Sequence, residues 1–335
     1  MNLRFLLFLS PCELLISKQK KVNLGNDLSP TFEKILLPVD ESAQSRVAQQ
    51  MAVFLSKAFN SQVTIMHVVP KEPVSLPEKN FALRENFEPI STATGQFPRT
   101  LKAPSVKDYA LPDGVAAEVS EGYLSEGQAV VSQVALLFKQ AQVSVKEKLV
   151  GGVDVAEAII READSGGYDL VVLGNSEGED AKVDFHLGSV AEKVSQGVKT
   201  PVLVVREKME VKVLAVPVDG SEKDGSALAV ARALAEGVVA KVLLLHVQEK
   251  RLLRSREGEA VGLQILGDAA EKLAGLQVEQ KLASGDPAKI ILQAAEESGA
   301  VIVMSGGGRR TLNHFLGGVS SHVLHYAKVP VLLVK

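Results

Sequence analysis

The chain has 335 residues, 46% hydrophobic and 23% charged, which supplies apolar side chains for two ordinary cores rather than one oversized core. A formal net charge of -3 provides none of the basic field that phosphate-backbone binding needs, so nucleic acid is not an expected partner. The single cysteine, Cys12, excludes an internal disulfide and a cysteine-built metal site, which suits a reducing compartment and predicts a cytoplasmic protein.

The start Met1-Asn-Leu-Arg-Phe-Leu-Leu-Phe-Leu has the look of a secretory signal, but Pro11 and Glu13 interrupt the apolar run and cationic Lys18 to Lys21 follows. Residues 1–31 read as a poorly ordered extension. No stretch has the ~18 continuous apolar residues of a membrane span, so no membrane association is expected.

The first predicted strand is Lys34-Ile-Leu-Leu-Pro-Val-Asp40, followed by Ser42. A helix comes next, after a serine-rich start that can cap it, with Val47, Met51, Phe54, Leu55 and Ala58 on one face. The second strand ends in Met-His67-Val68. From Pro70 to about Gly122 the chain carries seven of its 14 prolines, too many for a helix or central strand. That insertion also holds Phe81, Phe87, Phe97 and Tyr109, many aromatics for a flexible linker. It reads either as a lid or partner-docking element, or as a disordered loop. Leu170-Val-Val-Leu173 has the pattern of a strand buried on both faces, and a glycine-rich loop leads from it into a helix. The loop runs Gly174-Asn-Ser-Glu-Gly178, nine residues, then Gly188-Ser189. Pro201-Val-Leu-Val-Val205 closes this half.

The same order then recurs. Val-Pro-Val-Asp219-Gly-Ser221 repeats the first strand end, and His246-Val247 follows Asp219 at the 27-residue spacing that separates His67 from Asp40. The second helix is expected to stop at Gly237. Val301-Ile-Val-Met304 is the next doubly buried strand, and nine residues separate Gly307 from Gly317. Gly188 to Pro201 and Gly317 to Pro330 both span 13 residues. The predicted architecture is therefore α/β: two tandem doubly wound domains, 32–207 and 211–335, each with a five-stranded, mostly parallel sheet. Their apolar closing strands would be exposed edges if left unpaired.

Ligands of such sheets lie beyond the C-terminal strand ends where strand order reverses. Glycines there let the backbone approach an anion, and the N–H groups of a helix start favour phosphate. Each candidate also has a structural reading. Asp40 and Asp219 could cap the helices after them, and Gly188 and Gly317 could serve a tight turn. The repeated pair His67 and His246 argues for packing, and His314, His322 and His325 read as solvent-facing or capping residues, with no metal site assigned.

The Pro-Val-Asp turn, the His-Val strand end, the Gly-x9-Gly-Ser loop and the Pro-Val-Leu-Val closing strand together resemble the universal stress protein family in its tandem form. The resemblance spans residues 32 to 335 and implies the adenine nucleotide alpha hydrolase-like fold. It also implies that Asp40 meets the adenine or ribose side of a nucleotide and that Val68 lines the adenine pocket through its backbone. Gly174, Gly178, Gly188 and Ser189 would wrap the phosphates. The family's Gly-x2-Gly-x9-Gly-Ser/Thr pattern is broken here, since three residues separate Gly174 from Gly178. In the second half Asp219, Val247, Gly307 and Gly317 correspond, but strict spacing puts Met304 at the first glycine and Gly318 at the serine.

The resemblance further implies an intrachain pseudo-dimer joined through the last strands, and a stress-response regulator that binds ATP or AMP, with Mg²⁺ carried on the phosphates. An unidentified protein partner is expected. With no Gly-x4-Gly-Lys-Ser/Thr loop and no kinase or hydrolase motif, the expected turnover is at most weak ATPase activity. A slow ATP hydrolase and a nucleotide-free interaction scaffold are the alternatives.

Overall fold

The computed structural model describes residues 30–70, 121–175, 187–207, 210–248, 256–306 and 318–335. Residues 1–29 of the N-terminal extension, nearly all of the proline-rich insertion, Gly178, Gly307, His314 and Gly317 lie outside them. The first half is built from β1 (Lys34–Pro38), α1 (Ala43–Phe59), β2 (Gln62–Pro70), α2 (Glu121–Gln140), β3 (Val145–Val153), α3 (Val155–Ser165), β4 (Leu170–Gly174), α4 (Ser189–Gly197) and β5 (Val202–Val205). The second half repeats it as β6 (Val213–Pro217), α5 (Asp224–Val238), β7 (Lys241–Gln248), α6 (Arg256–Lys272), β8 (Val278–Ser284), α7 (Pro287–Ser298), β9 (Val301–Ser305), α8 (Gly318–Tyr326) and β10 (Val331–Val334).

All ten strands form one sheet, ordered β3-β2-β1-β4-β5-β10-β9-β6-β7-β8. Pairing is parallel within each half and antiparallel only between β5 and β10. In both halves strand order reverses between the first and fourth strands, β1/β4 and β6/β9. Helices cover both faces, which is why β1, β4, β6 and β9 can be almost wholly apolar. Ile35, Leu37 and Leu203 join a core under α1, α2, α5 and α6, whereas Leu36, Val204 and Leu333 join one under α3, α4, α7 and α8. The edge strands β3 and β8 carry Lys146, Glu147 and Lys148, and Glu279, Gln280 and Lys281, polar residues that discourage pairing with another chain.

At the seam, Val331 faces Val204, Leu332 faces Leu203 and Leu333 faces Val202, all six buried. Arg206 adds hydrogen bonds to the carbonyls of Leu324 and His325, and His325 Nε2 lies 3.5 Å from Glu192.

Two helix details differ from the expectation. Phe54 is 40% exposed; the buried face of α1 runs instead through Ala48, Met51, Ala52 and Leu55. Gly237 does not end α5. The helix continues to Val238, and Gly237 is small because a Cβ there would sit 2.2 Å from the Phe59 ring of α1. The left-handed C-cap falls on Val239, φ 57°, where α1 uses Asn60 at φ 54°. A β-branched side chain is strained in that region. Since Val239 is exposed, Val239→Gly is expected to stabilise the protein by about 1 kcal/mol, read as a higher urea midpoint. An unchanged or lower midpoint would contradict the strain assignment.

Candidate functional site

The loop after β1 is organised by hydroxyls. Ser42 is the N-cap of α1, its Oγ accepting the Ser45 N–H at 3.0 Å. The role suggested for Asp40 as the cap therefore belongs to Ser42. Asp40 braces that cap, with Oδ1 accepting from the Ser42 N–H at 2.9 Å and from its hydroxyl. The Asp40 N–H in turn donates to Ser45 Oγ at 3.1 Å. From β2, His67 Nδ1 lies 2.8 Å from the Val39 carbonyl. A carbonyl can only accept, so Nδ1 carries the proton and the ring ties β2 to the β1 loop. His246 repeats the tie to Val218 at 2.8 Å, and the pair is thus structural in both halves.

These residues edge a cleft of about 200 Å³ at the C-terminal ends of β1, β2 and β4, where strand order reverses. The cleft brings together Asp40, Val68 and Gly174 with Val190 and Ala191 from the first turn of α4. Met66, Val155 and Ile159 add apolar wall, suited to one face of a flat ring. Gly188 is the N-cap of α4 at φ -63°, ψ 146°, a conformation open to any residue, and it makes no side-chain cap bond. Its glycine is not explained by a left-handed turn. Ser189 is exposed at the first helical position.

Asn175 is the residue that pattern reading overlooked. It is 2% exposed, its Oδ1 accepts the Gly188 N–H at 2.9 Å, and its own N–H bonds the Val205 carbonyl. Asn175 thereby ties the start of α4 to the end of β4, its main chain held to β5 and its side chain to Gly188. The signal was available in sequence, as an asparagine directly after the strand and 13 residues before Gly188. Gly174 has a packing reason of its own: a Cβ would stand 2.6 Å from the backbone of Gln44. β4 can approach the start of α1 only because this position lacks one.

The second half keeps the frame and changes the chemistry. Ser305 pairs with Val334 as Gly174 pairs with Val205, so Ser305 rather than Met304 is the counterpart of Gly174, and Gly306 stands where Asn175 does. Asp219 Oδ1 accepts from the Ser221 N–H at 2.9 Å. Asp224 takes the place of Ser45, its Oδ2 accepting the N–H groups of Asp219 and Gly220 at 3.0 and 2.8 Å. Asp224 thus puts a carboxylate where the first half has the Ser45 hydroxyl, a group that lines the first cleft, which disfavours a polyanion near Val247. Burial, with the Asp219 charge adding to it, raises the Asp224 carboxyl above its ordinary 3.8. A raised acid holds its proton longer folded than unfolded, so native stability falls as pH rises from 3.8 through the folded value. Asp224→Asn keeps an acceptor oxygen and removes that penalty. It is expected to raise the melting temperature at pH 7 with the gain vanishing below about pH 4; a gain independent of pH would refute the electrostatic cause.

Among the described residues no group of three His, Cys, Asp or Glu side chains could hold a metal ion, and no helix is long and apolar enough to cross a membrane. The His322 ring lies 4.5 Å from that of Tyr326, tilted by 39°, and His325 Nδ1 bonds the Ser321 carbonyl at 2.9 Å.

Fold and cleft together define a tandem, doubly wound α/β protein with a ligand-type crevice at a strand-order reversal. The sequence model of the universal stress protein family matches residues 31–94, 100–206 and 210–335, and the chain belongs to that family. A universal stress protein of Mycobacterium tuberculosis is 29% identical over 232 residues, covering 63% of this chain and 77% of its own. The YxiE universal stress protein of Bacillus subtilis is 32% identical over 142 residues, 36% of this chain and 96% of its own. The crystal structure of a universal stress protein from Archaeoglobus fulgidus aligns with TM-score 0.63 at 21% identity, covering 91% of this chain and 98% of that one, a likeness of fold.

Proposed function

We propose that the first half binds an adenine nucleotide, ATP foremost and AMP next, and that the protein acts as a cytoplasmic stress-response regulator without efficient turnover. The observation that carries this reading is the convergence of Asp40, Val68, Gly174 and the α4 start on one cleft at the strand-order reversal. A base would lie against Val68 and Ile159, the ribose toward Asp40, and the phosphates past Gly188 toward the N–H groups of Ser189 and Val190, since the Gly188 N–H is taken by Asn175, at the helix start where the dipole favours negative charge. Gly178 would complete the phosphate loop, and Mg²⁺ would arrive on the phosphates. Asp219, Val247, Gly307 and Gly317 form the weaker counterpart, because Asp224 adds negative charge beside Asp219. The nucleotide state would then alter the surface offered to a protein partner.

Calorimetric titration with ATP and AMP is expected to give about one site per chain. Asp40→Ala and Ser189→Ala should each weaken binding about 5- to 20-fold, the value of one or two hydrogen bonds. Unaltered affinity in both variants would remove the assignment of this cleft.

A further inference from the structure

The two halves differ at the opposite, N-terminal edge of their sheets. In the first half Tyr168, between α3 and β4, lies with its ring beside the sheet. Its hydroxyl donates to Glu162 Oε1 at 2.7 Å, and it also hydrogen-bonds Thr64. Gly166 leaves the ring room, since a Cβ there would be 2.1 Å from Tyr168 Cε2.

Each of these three neighbours has a counterpart fixed by the repeat. Thr64 pairs with the third residue of β1, and Leu243 pairs with the third residue of β6. Asp154 caps α3 and Asp286 caps α7. Counting from those caps, Glu162 corresponds to Ala294 and Gly166 to Ser298. The ring itself has no counterpart. Four residues connect α3 to β4, Gly-Gly-Tyr-Asp, whereas only Gly-Ala connects α7 to β9. Where the ring would be, the second half has an open groove of about 620 Å³ lined by Leu243, Ala294 and Ser298. Lys281 and Glu297, paired at 4.0 Å, stand at its rim.

We propose that this groove is a binding site for a small phenol, a planar ring with one hydroxyl, held as the first half holds the Tyr168 side chain. The apolar floor at Leu243 and Ala294 takes the ring, and Glu297, one turn beyond Ala294 on α7, accepts a hydrogen bond from the hydroxyl as Glu162 does in the first half. Opposite charges at the rim offset each other, which favours a neutral phenol over an aromatic carboxylate. The site is separate from the nucleotide cleft and does not depend on it.

The probe is p-cresol, the tyrosine side chain as a free molecule, titrated into the full chain by protein-observed NMR. Saturable binding with Kd of roughly 1 mM is expected, with shifts centred on Leu243 and Ala294. Ser298→Phe, which directs a ring into the groove, should weaken binding by about tenfold or more, and Ala294→Phe is the second plug should the first fail to fold. Tyr168→Ala should create a second p-cresol site in the first half and raise the stoichiometry from one to two. No saturable binding, or binding undiminished in a folded plugged variant, would overturn the proposal. So would binding of a tyrosine-containing tripeptide amide but not of p-cresol, which would mark the groove as a surface for a partner protein.

Discussion

Gly174→Val is expected to destabilise the first half by about 3 kcal/mol and to abolish the nucleotide binding proposed for its cleft in the fraction that still folds. The ideal Cβ would meet Gln44 C and O at 2.6 Å and Ser45 N at 2.8 Å, all main-chain atoms near the start of α1. Flexible side chains could swing away from such a contact, but a helix terminus cannot. Its Ser42 cap is tied to Asp40, and β4 is held by parallel pairing to both β1 and β5. Relief requires α1 or β4 to shift, and both are walls of the cleft. The second half provides an internal control, because Ser305 occupies the same sheet position where the helix begins at Asp224, after a turn at Ser221 to Lys223. Chemical denaturation of Gly174→Val and of Ser305→Val would separate the two cases. Equal, small losses in both would refute the steric account of Gly174.

Leu332→Asp should cost more, at least about 4 kcal/mol, since it removes a buried leucine and places a carboxylate without a partner in the middle of the sheet. Leu332 is 1% exposed, faces Leu203 across the antiparallel seam and belongs to the core shared by α1 and α5. β5 and β10 have only four residues each, so one charged position disrupts a large share of their pairing. The expected result is a denaturation curve with an early transition as the halves part, followed by the unfolding of each. Leu332→Ala, which leaves only a cavity, should lose about 2–4 kcal/mol in a single transition. A Leu332→Asp protein with the parent's midpoint would show that the seam contributes little.

Much of this was legible from residue patterns, and particular positions show why. The doubly buried strands Leu170 to Leu173 and Val301 to Met304 announce themselves as apolar runs, because burial on both faces removes alternation. The repeat of Pro-Val-Asp and His-Val marks the ends of the first two strands of each half to within two residues, β1 stopping at Pro38 and β2 running on to Pro70. Helix ends were less visible. Gly237 looked like a stop and is a contact for Phe59, a residue of the other half whose approach no local pattern reports. Phe54 fitted the helical period yet faces outward, since the width of the buried stripe depends on what packs above it. Spacing misassigned the second loop as well, because Met304 follows from counting glycines whereas Ser305 follows from hydrogen-bonded register with Val334.

Sequence by itself determined the duplicated α/β architecture, the sheet edge at which the cleft opens, and the family, since these follow from periodicities and motifs that are local in the chain. Only the tertiary structure decided that Ser42 rather than Asp40 caps α1, that Asn175 ties Gly188 to the end of β4, and that the Asp224 carboxylate takes the place of the Ser45 hydroxyl beside Asp219. It alone revealed that Tyr168 fills a groove left open in the second half. Those features rest on contacts between elements brought together by folding, whose energies depend on distances that neither composition nor spacing encodes.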